Sequence, residues 1–123
     1  MHEFSICRGL IGQLERIAAA HGARRVRSAT LRVGPLAGVD AGLLRRAFAA
    51  LNAPRSGPTA GTKLHLDSPP PQVLCRDCGA ESAVTCQQLS CRRCGSRRTE
   101  LLSGDELLLL DLQLEIETEP GDV

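Results

Sequence analysis

The chain has 123 residues, a formal net charge of +1 at pH 7 and only two aromatic residues, Phe4 and Phe48. That length suits one ordinary domain, or a small domain carrying a smaller module. The near-neutral charge argues against a strong overall field toward nucleic acid or an acidic membrane, and a core without aromatics must be built from Leu, Val, Ile and Ala.

The segment after Met1 is polar and acidic and then turns helical, unlike a signal peptide, and Leu107 to Leu110 is too short a run to span a bilayer. The expectation is a cytoplasmic protein whose thiols stay reduced, so that six cysteines point to metal rather than to disulfides. From Phe4 to His21 the apolar residues Cys7, Leu10, Ile11, Leu14, Ile17 and Ala18 recur at helical spacing. Ser5 is the expected cap of this helix, Gly22 its terminator, and His21 suits the dipole of its last turn. Arg25 to Val33 reads as a half-buried strand, with Ala29, Leu31 and Val33 on one parity and Ser28, Thr30 and Arg32 on the other.

Gly34-Pro35 breaks that strand. Asp40 caps a second helix with Leu44, Ala47, Phe48 and Leu51 along one stripe. The Pro- and Gly-containing stretch from Ala53 to Gly61 reads as a surface connection. Thr62 to Asp67 is a short strand with Leu64 and Leu66 inward and Lys63 and His65 outward. Pro69-Pro70-Pro71 is a stiff spacer before a cysteine module that ends near residue 103. The closing strand places Leu108, Leu110, Leu112, Leu114 and Ile116 on one face, and Asp111, Gln113, Glu115 and Glu117 on the other. Such a strand needs paired neighbours that the cysteine module is too small to supply. The expected architecture is α+β: two helices on a three-stranded sheet form a discontinuous domain (1–68 and 104–123), with a zinc-ribbon-like module (69–103) inserted before the last strand. The acidic tail after Glu117 reads as loose.

Within the module, Cys75-Arg76-Asp77-Cys78 and Cys91-Arg92-Arg93-Cys94 are each followed by glycine, and twelve residues separate the pairs. In a zinc knuckle the chain curls around the metal, backbone N–H groups point at the sulfurs, and glycine takes the positive φ of the turn. Cys75, Cys78, Cys91 and Cys94 are therefore expected to hold a structural zinc, with nearby arginines favouring thiolate. A redox dithiol pair is the competing reading, weakened by the lack of a thioredoxin-like pattern. Cys86 lacks a partner cysteine two residues away and reads as a free thiol; Cys7, on the helical stripe, reads as core.

His2 offers a second kind of site. The terminal amine of Met1, the deprotonated His2 amide and the imidazole Nδ1 form small, nearly planar chelate rings of the kind square-planar Ni(II) or Cu(II) prefers. Glu3 or Asp40 would supply a carboxylate. A histidine at position two has no such meaning by itself, and on spacing alone a solvated terminal residue is the stronger reading. His65 likewise reads as a surface residue.

Met1-His2-Glu3-Phe4-Ser5-Ile6-Cys7, the run Leu31 to Asp40, the two knuckles and Gly104-Asp105-Glu106-Leu107, in this order, resemble the hydrogenase nickel-incorporation proteins of the HypA/HybF family. The resemblance covers essentially the whole chain. It implies a nickel metallochaperone without catalytic residues. Nickel would be held by Met1, His2 and Glu3, with Asp40 nearby, and zinc by Cys75, Cys78, Cys91 and Cys94. It further implies a HypB-type GTPase partner, delivery to the [NiFe]-hydrogenase large subunit precursor, and in some organisms work with urease maturation proteins. Two positions depart from the family pattern: Arg92 stands where the second knuckle commonly has proline, and Asp40 where many members have glutamate. Two other functions compete. A nucleic-acid-binding zinc ribbon is disfavoured by the neutral charge and missing aromatics, and an enzyme by the absence of a triad and of an open zinc position.

Overall fold

The computed structural model describes residues 2–116. Met1, Glu117 and the tail after it lie outside them. The elements in chain order are α1 (His2–Ala20), β1 (Ala23–Val33), α2 (Ala41–Asn52), β2 (Lys63–Asp67), β3 (Gln72–Cys75), β4 (Glu81–Ala83), β5 (Thr99–Ser103) and β6 (Leu107–Ile116). They form two three-stranded sheets, ordered β2-β1-β6 and β4-β3-β5. The described residues group into two compact units, one of segments 2–31, 40–65 and 109–116, the other of 32–39 and 66–108.

In the first unit α1 buries Cys7, Leu10, Ile11, Leu14 and Ala18, residues three or four apart that share one helical face. The helix starts at His2, so Ser5 is an exposed residue inside it rather than its cap. It ends as expected: Gly22 takes φ 62°, and His21 Nδ1 lies 3.0 Å from the Ile17 carbonyl. In α2, Leu44, Ala47 and Phe48 are buried, and Asn52 rather than Leu51 completes the inner stripe. Asp40 is its N-cap, accepting a 3.0 Å hydrogen bond at Oδ1 from the Leu43 N–H. The Cys7 thiol donates to the Leu44 carbonyl at 3.4 Å and so ties the two helices. Leu14 and Leu44, both fully buried, each contribute about 1.5–3 kcal/mol.

Two features of this unit depart from simple alternation. Val26 of β1 is buried together with Ala29, three positions on, with Arg27 exposed and Ser28 half-buried between them. The connection before β2 is pinned inward: the Thr62 hydroxyl donates to the Val26 carbonyl, the Val26 N–H to the Pro58 carbonyl, and Asn52 Nδ2 to the Thr59 carbonyl, each at 2.7 Å. Thr59 and Thr62 are accordingly buried in what reads by composition as a surface loop.

The closing strand also differs from expectation. β6 is an edge of its sheet. Of the expected inner face, Leu112 and Leu114 are half-buried while Leu108, Leu110 and Ile116 remain exposed.

In the second unit β3 pairs antiparallel with β4 (Val73 opposite Ser82) and with β5 (Leu74 opposite Glu100). Gly34 donates to the Glu106 carbonyl at 2.8 Å, and a Cβ there would run into the backbone of Gly104 and Asp105. Only glycine permits so close an approach.

Candidate metal centre

The two Cys-x-x-Cys segments fold into the same turn. After β3, Gly79 N–H donates to the Cys75 carbonyl and Cys75 N–H to the Ala80 carbonyl, both at 2.9 Å. In the second turn Gly95 N–H donates to the Cys91 carbonyl and Cys91 N–H to the Ser96 carbonyl, again at 2.9 Å. Gly79 and Gly95 take φ 74° and 78°, the left-handed conformation the turn requires. Cys78 N–H points at Cys75 Sγ, and Cys94 N–H at Cys91 Sγ, each at 3.5 Å. The Arg93 N–H adds a 3.3 Å bond to Cys91 Sγ.

These turns face each other. The four sulfurs lie within 4.8 Å of one another, with Cys75–Cys94 and Cys78–Cys91 separations of 3.6 Å. A tetrahedral zinc with Zn–S bonds of about 2.3 Å requires sulfur–sulfur edges of roughly 3.8 Å. Donor type, number and spacing therefore fit zinc, and four thiolates leave no open coordination position. Cys75 and Cys91 are buried, whereas Cys78 and Cys94 reach the surface.

The thiols are electrostatically uneven. Backbone N–H groups of Cys94, then Arg93, together with hydrogen bonds from the Cys78 and Cys94 thiols, pull Cys91 down to about 6 against the opposing effect of burial. Cys75 is lowered in the same way, first by the Cys78 N–H. At Cys94 the Ser96 N–H pulls down but is outweighed by the Cys75 thiol, burial and the other two thiols, which push it up to about 12. One cluster thus holds readily ionised and reluctant thiols together, and a divalent cation would supply the charge that ionises the rest. The pull on the low thiols comes from backbone N–H groups, not from the surrounding arginines. Two of those are turned to carboxylates instead, Arg98 to Asp77 at 3.3 Å and Arg76 to Glu100 at 3.7 Å. The Arg92 N–H, a donor that a proline at this position would lack, bonds Ser82 Oγ at 3.3 Å.

The N-terminal candidates are arranged by the helices of the other unit. His2 is exposed at the first position of α1. Glu3 and Asp40, 37 residues apart in sequence, are in contact: Asp40 N–H donates to Glu3 Oε2 at 3.1 Å. That bond holds the Glu3 carboxyl below its ordinary range, helped by its own N–H and by the His2 and N-terminal charges, against a small effect of burial. Sequence reasoning named both residues but had no means of pairing them. Cys7 is fully buried, its thiol pushed up by burial and then by the Glu3 charge. Cys86 is exposed in the loop between the knuckles, outside the four-sulfur cluster. His65 is exposed on β2.

Residues 1–114 match the family described as hydrogenase/urease nickel incorporation, metallochaperone, HypA. The chain belongs to the HypA family. Among relatives, the hydrogenase maturation factor HypA of Nitrosospira multiformis is 44% identical over 114 residues, covering 93% of this chain and 97% of that protein. The same factor of Azotobacter vinelandii is 36% identical over 115 residues, covering 94% and 100%. The solution structure of the Ni metallochaperone HypA from Helicobacter pylori superimposes with a TM-score of 0.65 at 22% identity, over 94% of this chain and 98% of that one. A second HypA solution structure gives 0.71 at 23% identity, over 95% and 98%. At that identity the structures establish the shared fold, while family membership rests on the sequence matches. HypA proteins are metallochaperones for nickel incorporation, and a four-cysteine metal-binding cluster is in place in this member.

Proposed function

We propose that this protein carries Ni(II) at its N-terminus for [NiFe]-hydrogenase maturation, with zinc as a structural ion. The observation that carries this reading is the family match running from residue 1 to 114 on a chain that begins Met1-His2-Glu3. Nickel is the cargo. Its ligands are the Met1 amine, the His2 amide nitrogen and the His2 imidazole, completing three corners of a square. The position of His2 supports this: N–H groups in the first turn of a helix have no intrahelical acceptor, so deprotonating the His2 amide breaks no helical hydrogen bond. Glu3, turned toward the start of α2 by Asp40, places a carboxylate beside the chelate, and Asp40 contributes as cap and anchor rather than as a ligand. An exposed chelate is open to a receiving protein.

Cys75, Cys78, Cys91 and Cys94 would hold the zinc, which supplies a cross-link rather than chemistry. The functional division follows: residues 1–68 and 104–123 handle nickel, and 69–103 form the zinc module. Partners in this reading are a HypB-type GTPase, the large subunit precursor of [NiFe]-hydrogenase and, where present, urease maturation proteins. No catalysis, nucleic acid or membrane enters it, and the setting is the cytoplasm. Among the described residues no helix is long and apolar enough to cross a membrane.

The test is nickel titration of untagged protein, followed by calorimetry and by the absorbance of square-planar Ni(II), with His2→Ala alongside. The variant is expected to lose the stoichiometric site and keep its zinc. Full square-planar binding by His2→Ala would sink the proposal.

A further inference from the structure

β2 is an edge strand whose two faces meet different surroundings. Toward α2, Leu64 and Thr62 border an open groove of about 410 Å³ lined also by Phe48, Ala49 and Asn52. Asn52 is nine-tenths buried, and its Oδ1 has no hydrogen-bond partner although Nδ2 is engaged. That oxygen is sealed from solvent, as is the unpaired Thr59 hydroxyl, so Asn52 serves as an internal anchor of the loop before β2 rather than as a contact for an incoming segment. On the opposite face Lys63 and His65 border a concavity of about 620 Å³ with Arg25 and Arg27 of β1. Ser28 and Thr30 add hydroxyls, and Asp111 is the one acid there. The ion pairs among the described residues join Arg32, Arg55, Arg76 and Arg98 to acids, and Arg25, Arg27 and Lys63 form none with a described residue. At the rim itself, the Leu64 carbonyl accepts a 3.3 Å bond from the exposed Arg45 guanidinium.

We propose that β2 is a docking edge for an extended segment of a partner protein in which apolar and acidic residues alternate. An added strand pairs its backbone with the edge, and its side chains then point alternately to the two faces. Every second residue would enter the Phe48–Leu64 groove, and those between would meet Arg25, Arg27 and Lys63. Arg45 swings off the Leu64 carbonyl and frees it for a backbone N–H. Charge selects the occupant: a lysine-bearing strand would set like charges face to face. Nucleic acid fits less well, since this face holds no Phe, Tyr or Trp for base stacking.

The inference does not depend on the nickel site, and its test is separate. Fluorescein-labelled acetyl-Thr-Val-Glu-Val-Glu-Val-Glu-Thr-amide is titrated with zinc-loaded full-length protein, beside the same peptide with Lys for Glu. Backbone amide shifts map the contact. The acidic peptide is expected to bind and shift the amides of β2, and the lysine peptide to fail. Reversing Arg25→Glu and Arg27→Glu together should weaken binding about tenfold or more. Both are exposed, and their stoichiometric nickel uptake should stay as in the parent. The helical signal of the double variant is recorded to verify folding. No binding by the acidic peptide, equal binding of both peptides, shifts confined to β6, indifference to the charge reversal, or displacement by a 12-nucleotide single strand would each overturn the proposal.

Discussion

Removing the metal from the four-cysteine centre should unfold the cysteine module and leave the helical unit standing. In the segment 72–103 the buried side chains are Val73, Cys75, Val84 and Cys91, and two of these four are sulfur donors. The two valines contribute about 3–6 kcal/mol between them. Zinc bound to four thiolates is worth about 10–16 kcal/mol near neutral pH. With zinc bound, the metal would be the larger share of what holds β3, β4 and β5 together; without it the sulfurs are left as two thiol pairs at 3.6 Å. By contrast Leu10, Leu14, Leu44, Phe48 and Val26 are buried in the other unit with no donor among them. The experiment is hydrogen exchange on protein stripped with chelator under reducing conditions, and in parallel on Cys91→Ser. Protection should vanish at the amides of Val73, Leu74 and Cys75 and persist at those of Leu14 and Leu44. Re-addition of zinc should restore the first set in the stripped protein. If Val73 and Leu74 stay protected in the absence of metal, the module has a core of its own and the reasoning is refuted.

Leu14→Ala should cost about 2–5 kcal/mol, because Leu14 is fully buried, and urea unfolding reads the loss directly. Asp40→Ala should cost about 1 kcal/mol through the lost cap on Leu43, with Asp40→Asn recovering most of it; a variant as stable as the parent would show that α2 does not use the cap. Cys7 sets an alkaline limit. Its thiol is raised above the ordinary 9.0 by burial and by the Glu3 charge. The unfolded chain ionises first, so this contribution is whole below about pH 9 and is lost as pH rises through the folded value. Urea midpoints measured upward from about pH 8 should fall more steeply in the parent than in Cys7→Ala, and parallel slopes would contradict this assignment.

The sequence was most informative where structure is local. Helical spacing from Cys7 to Ala18 marks the buried face of α1 because 3.6 residues per turn bring those positions together whatever lies opposite. Each knuckle is equally local: a Cys, two intervening residues, a second Cys and a glycine with positive φ complete the turn within five residues. The start of α1 was misplaced because Ser5 is a good cap by type, yet the helix continues back to His2, where the Asp40 N–H takes up the Glu3 carboxylate.

What only the tertiary structure decided has a common cause. Alternation says that Leu108, Leu110 and Ile116 share a face, but not that β6 ends the sheet as an edge and leaves them exposed. Composition puts Thr59 and Thr62 in a polar loop, while hydrogen bonds to β1 and α2 draw that loop inward. The pairings of Glu3 with Asp40 and of Arg92 with Ser82 bring together residues 37 and 10 positions apart. Backbone geometry imposes a period on the chain, and a period can be read from one sequence. Which element docks against which is set by burial and hydrogen bonding summed over distant segments, and no single stretch of sequence contains that sum.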